Sequence, residues 1–108
     1  MVYLHKSLKG LAGILKDTCK NSKDRVILIE LFDSLSKDVH GTLELEETRK
    51  LKGIKGVNKA FEIKKGNMRI FYTLVNDDIH ILHTSIKQKN KTEKTDLLVV
   101  KDRIKDIK

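Results

Sequence analysis

Cys19 is the only cysteine in the chain. That excludes an intrachain disulfide and a cysteine-rich metal site, and it fits a reducing compartment. Long apolar runs are missing too: Val26 to Ile29 and Leu97 to Val100 are the longest, far short of the ~20 residues a membrane-spanning helix needs. The Met1 end has no apolar signal-peptide core, so the expected location is the cytoplasm. No Gly-x-x-x-x-Gly-Lys-Ser/Thr or Gly-x-Gly-x-x-Gly run is present, and no His, Cys or carboxylate residues show ligand spacing such as Cys-x-x-Cys. Neither a nucleotide cofactor nor a bound metal is expected.

What is present is a strongly charged but globular composition, 39% hydrophobic and 35% charged over 108 residues, which fits one domain with one small core. Positive charge is concentrated. Residues 49–91 hold 11 Lys and Arg against 3 Asp and Glu, so this stretch alone carries +8, the net charge of the whole chain. A charge serving only solubility would be scattered, whereas a cluster of this kind points to a polyanion-binding face, with nucleic acid as the expected polyanion.

The apolar residues change period along the chain. Leu8, Leu11, Ala12, Leu15 and Cys19 form one stripe of a helix from about Ser7 to Lys20. Asn21-Ser22-Lys23-Asp24 offers N-cap side chains for a second helix carrying Leu28, Leu31, Phe32 and Leu35. The pair reads as a helical hairpin. Residues 40–58 read as a connection, in which the alternation of Thr42 to Glu46 suggests a short extended piece. From Ala60 the period is 2, and three strands follow: Ala60 to Lys65, Arg69 to Val75, and Ile79 to Ile86. Gly66-Asn67 and Asn76-Asp77-Asp78 supply hairpin turns, because these residues tolerate positive φ. Thr92, with Glu93 and Asp96 after it, opens a last helix through about Ile107. The expected fold is α+β: an N-terminal helical hairpin on a small antiparallel meander of three to four strands, closed by a C-terminal helix, with one sheet face left open.

Strand alternation sorts the charges. Phe61, Ile63, Ile70, Tyr72, Leu74, Leu82 and Ile86 are expected to face the helices. That leaves Glu62, Lys64, Arg69, Phe71, Thr73, Ile81, His83, Ser85 and Lys87 on the open face. Cations there can hold phosphate, an exposed Phe71 or Ile81 can contact a base, and an imidazole can move a proton near neutral pH. Metal-free RNA cleavage through the ribose 2′-OH needs little more. A solvated loop at 87–91, a strand-end arginine and a half-buried packing histidine are the plainer readings of the same residues. His80 has opposite parity, and His5 and His40 lie outside the meander, so these three are read as structural.

Leu51-Lys52-Gly53, Phe61-Glu62-Ile63-Lys64, Arg69-Ile70-Phe71-Tyr72, Ile81-Leu82-His83 and Lys87-Gln88-Lys89-Asn90-Lys91-Thr92 resemble, in order and spacing, the RelE/HigB superfamily of toxins and its phage-related branch. The resemblance implies an mRNA endoribonuclease of a type II toxin-antitoxin system. Such an enzyme works on the ribosomal A site, leaves a 2′,3′-cyclic phosphate, and is silenced by a cognate antitoxin protein. It also implies Lys64 as base or charge stabiliser, Arg69 on the scissile phosphate, His83 as acid or ribose ligand and Lys89 as a second phosphate ligand. Lys52, Lys65, Phe71, Lys87 and Lys91 would bind flanking RNA. The chain departs from the pattern at Glu62, where RelE itself has a lysine, and at Ser85, Gln88 and Glu93. It also has no C-terminal tyrosine, and only Val2-Tyr3-Leu4 could supply an opening strand. Those departures motivate the alternatives: a non-cleaving protein of the same fold, either a ParE-like gyrase inhibitor or an inactive RNA-binding module, and, last, a nonspecific DNA binder. An antitoxin is expected to be acidic and to cover residues 49–91 or displace the last helix.

Overall fold

The computed structural model describes residues 1–54, 59–86 and 94–107. In chain order the elements are β1 (Val2–Leu4), α1 (Gly10–Thr18), α2 (Ser22–Lys37), α3 (Val39–Leu45), β2 (Glu47–Lys50), β3 (Ala60–Lys65), β4 (Met68–Val75), β5 (Asp78–Ile86) and α4 (Lys94–Ile104). The strands form one sheet in the order β1-β5-β4-β3-β2, with β1 parallel to β5 and every other pair antiparallel. The α+β class and the central meander are as expected. The detail differs: the sheet has five strands, the helical hairpin follows a short opening strand, and a third helix precedes β2.

Each local element has a visible cause. The Asn21 side chain accepts the Asp24 N–H at 2.9 Å and starts α2. Asp38 ends α2 and caps α3 by accepting the Gly41 N–H at 3.1 Å. A Cβ on residue 41 would lie 2.2 Å from that carboxylate, so only glycine fits. This cap overrides the alternation of Thr42 to Glu46, of which Thr42 to Leu45 are helical; the extended piece is β2, which begins after Glu46. The two hairpins turn at Gly66 and Asn76, whose φ values are 60° and 57°.

The sheet buries both of its faces. Against α1 and α2 pack Ile63, Ile70, Tyr72, Ile79 and Ile81, together with Ile14, Leu28, Leu31 and Leu35. Burial pushes the Tyr72 phenol up to about 12, and it raises the Cys19 thiol as well, so both remain protonated packing groups at neutral pH. On the other face, Ala60, Phe71 and Leu82 meet Val100 and Ile104 of α4, with Leu51 and Ile54 at the edge. The face expected to be open is therefore half covered.

The strand parities of β5 are set by an irregularity. Tyr72 pairs with Ile81 but Phe71 pairs with His83, so Leu82 is an extra residue, a β-bulge. Ile81 consequently lies in the α1–α2 core and Leu82 under α4, the reverse of the alternation read from sequence. Ile86 does pack toward the helices. His80, opposite Thr73, shares the α4 face and stacks on Tyr3 at 5.0 Å. Phe71 is fully buried, so no base can reach it in this arrangement, and Ile81 is equally buried.

Two polar contacts fasten α4 to the sheet, and a third joins the segments that follow β1 and α4. Arg103 Nη1 donates to the bulge carbonyl of Leu82 at 2.7 Å, and His83 Nε2 lies 2.8 Å from Asp96 Oδ1. Beyond the end of β1, the Ser7 N–H donates to His5 Nδ1 at 3.1 Å, which fixes the proton on Nε2, and Nε2 donates to Asp106 Oδ2 at 2.6 Å. That hydrogen bond, with Lys6 nearby, holds the Asp106 carboxyl below the usual carboxylate range.

Two outcomes are expected. Phe71→Ala should lower stability by roughly 3–5 kcal/mol in urea unfolding, whereas a Phe serving as an exposed base platform would cost little. Because the folded Asp106 carboxyl is depressed, its stabilisation is complete above the ordinary Asp range and is lost as pH falls through the folded value. The stability gap between wild type and Asp106→Asn should therefore be present at pH 6 and close on acidification, as read by denaturation at each pH.

Candidate nucleic-acid interface

Beyond the Asp96 end of α4 the sheet carries two cross-strand rows on the α4 face. One runs Glu47, Lys64, Arg69, Ser85; the next runs Arg49, Glu62, Phe71, His83. Side chains directly opposite in such rows have Cβ atoms about 5 Å apart. β2 is an edge strand and all four of its residues are exposed. Glu47, Thr48, Arg49, Glu62 and Lys64 line a cavity of about 480 Å³.

Lys64 is half-buried and ion-paired to Glu47 across 3.7 Å. Glu47 is exposed and the geometry is loose, so this pair contributes at most about 1 kcal/mol and yields easily to a phosphate. Arg69, opposite Lys64, is buried and donates from Nη1 to the carbonyls of Gly66 at 2.8 Å and Met68 at 3.0 Å. Its guanidinium holds the β3–β4 turn closed, a role that strand alternation alone does not reveal. His83 stacks on Phe71 at 5.5 Å, and its Nε2 meets the buried Asp96 carboxylate. Asp96, read from sequence only as a first-turn acid, is thus the group that orients the imidazole. Its signal was the helix-start pattern itself, which says nothing about the tertiary partner.

Not every residue of the basic stretch joins this surface. Lys65 has opposite parity to Lys64, turns to the helix side and pairs with Glu46 at 2.9 Å. Lys52 stands exposed in the turn after β2. Lys87, Lys89 and Lys91 lie outside the described residues. Arg49, which the sequence reading passed over, does join: its Nη2 donates to Glu62 Oε1 at 3.1 Å. The charge read as one patch is therefore divided between two faces, with Arg49, Lys64 and Arg69 on the face that His83 shares. No three His, Cys, Asp or Glu side chains converge as a metal site among the described residues.

The arrangement can neutralise phosphate, with Lys64 and Arg49 on the rim, and it can exchange a proton through an oriented imidazole at one end. No protein-family model matches the chain, and no curated protein sequence matches it. Among solved structures, a chain of the archaeal RelE-RelB complex from Pyrococcus horikoshii OT3 is similar, with a TM-score of 0.54, 21% sequence identity, and 82% of this chain and 94% of that chain covered. The likeness is one of architecture: the chain has a RelE-like fold.

Proposed function

We propose that this chain is an mRNA endoribonuclease toxin of the HigB-like branch, acting in the cytoplasm on ribosome-bound message and restrained by a cognate antitoxin. The observation that carries this reading is the direct cross-strand pairing of Lys64 with Arg69, one row from His83, on the α4 face beyond the Ala60, Phe71 and Leu82 core. The RelE-like fold supports it, and the similar structure is itself a complex with RelB.

In the proposed reaction the 2′-oxygen gives up its proton and attacks phosphorus, with Lys64 as base or charge stabiliser. Arg69 stabilises the charge on the phosphorane, and the P–O5′ bond breaks as His83 protonates the leaving oxygen. A 2′,3′-cyclic phosphate and a 5′-OH result, and no metal is required. With Nε2 on Asp96, the ring's Nδ1 is the nitrogen that serves the RNA, and the Asp96 carboxylate stabilises the imidazolium. Arg69 holds the Gly66 and Met68 carbonyls through Nη1, so a phosphate would be met by its Nε and Nη2 donors. Lys89 would add a second phosphate ligand. Lys52, Lys87 and Lys91 would hold flanking RNA, and Lys65 could join them only from the opposite face.

The burial of Arg69 and Phe71 favours one other reading, a toxin-fold protein that binds without cutting, either a gyrase inhibitor or an RNA-binding module. Induction in bacteria separates the two. The enzyme reading expects growth arrest with shortened mRNA and A-site cuts on programmed ribosomes, all relieved by Arg69→Ala. Intact transcripts, or supercoiling inhibition without cuts, would overturn it. Asp96→Asn should lower the cleavage rate about 10- to 100-fold, because the imidazole loses the carboxylate that orients it.

A further inference from the structure

We infer that Arg49 is a phosphate ligand of this surface and that Glu62 is the residue that positions it. The inference deepens the RNA reading and rests on it. Glu62 lies on β3, one strand in from the edge, with a side chain only 2% exposed, while Arg49 on the edge strand keeps 49% of its side chain open to solvent. A buried carboxylate is tolerated only when paired and hydrogen-bonded, so the contact at 3.1 Å fixes where the guanidinium lies. Such a pair adds little to stability compared with apolar residues of similar volume, which makes folding alone a weak reason for it.

The chemistry of guanidinium suggests what the pair does. Its planar fork carries five N–H donors, so a carboxylate held on one edge is compatible with a phosphate oxygen on another. Arg49 and Lys64 line the same cavity and are diagonal neighbours across β2 and β3, about 7–8 Å apart, so they meet different phosphates of one strand. The carboxylate therefore belongs to the anion-binding machinery despite its sign.

The test is the affinity of the full chain for ribosomes programmed with a 2′-O-methylated A-site codon, over a salt series at fixed magnesium. Arg49→Ala should weaken binding about tenfold and reduce the salt slope by about 0.7, the loss of one phosphate contact. Arg49→Lys should keep the slope and recover only part of the affinity. Glu62→Gln should weaken binding although it removes a negative charge, and in the Arg49→Ala background it should no longer do so. Tighter binding by Glu62→Gln, or an unchanged slope in Arg49→Ala, overturns the assignment while leaving the RNA reading intact. If the wild type fails to bind, both fall. Melting temperatures of the variants separate lost folding from lost binding.

Discussion

The bulge at Leu82 is the constraint on which the rest of the molecule depends. β5 must feed a core on each face of the sheet, and strict alternation cannot do that with the residues it has. Ile79 and Ile81 belong to the core under α1 and α2. Unbroken alternation from Ile81 would send His83 into that same apolar core. The extra residue opposite the Phe71–Tyr72 step turns Leu82 and His83 to the same side. Leu82 then completes the core under α4, its carbonyl takes the Arg103 guanidinium, and His83 is free to stack on Phe71 and meet Asp96.

Burying both faces has a consequence for where chemistry can sit. A chain of 108 residues is small enough that covering only one sheet face would leave little core. α4 covers the part of the second face built by Ala60, Phe71 and Leu82 and stops short of Lys64. The Glu47, Lys64, Arg69, Ser85 row lies beyond that core, with Arg69 itself buried. His83 stands at the junction: its ring packs on the core while its nitrogens meet charge. Folding and function share that boundary, so the anchors of α4 also shape the site.

The regular part of this architecture was legible in the sequence because each segment states its own period. Ala60–Lys65 alternates cleanly, and Gly66 and Asn76 mark turns that need positive φ. α2 announces its start through Asn21. The connection was misread at Thr42 to Glu46, since two-residue alternation and a short capped helix coincide there and only the Asp38 cap with its glycine contact decides between them. The bulge could not be read either. Ile79-His80-Ile81-Leu82-His83 satisfies one parity in its first half and the other in its second, and no local residue says where the switch falls. From that single slip came the exchanged places of Ile81 and Leu82 and the side given to His80. The exposure expected for Phe71 failed for another reason, since it assumed that the closing helix would leave its face open. Lys64, Arg69 and His83 survived because they flank the slip on the side where the alternation still held.

Glu62 shows why the site's electrostatics were the hardest thing to read. In sequence its nearest cations are Lys59, Lys64 and Lys65, and it looks like a defect in a basic surface. Its true partner comes from β2, brought opposite by an antiparallel register that only the fold determines. With Arg49 attached, the row Arg49, Glu62, Phe71, His83 carries an internally balanced pair at one end and an imidazole balanced by Asp96 at the other. The neighbouring row holds Lys64, which meets an exposed glutamate across a loose contact, and Arg69, which donates to backbone carbonyls. Lys64 and Arg69 stand as two cations side by side in that row, with the Arg49–Glu62 pair beside them. A carboxylate within an anion-binding surface is then no contradiction: it holds a guanidinium in place beside two further cations.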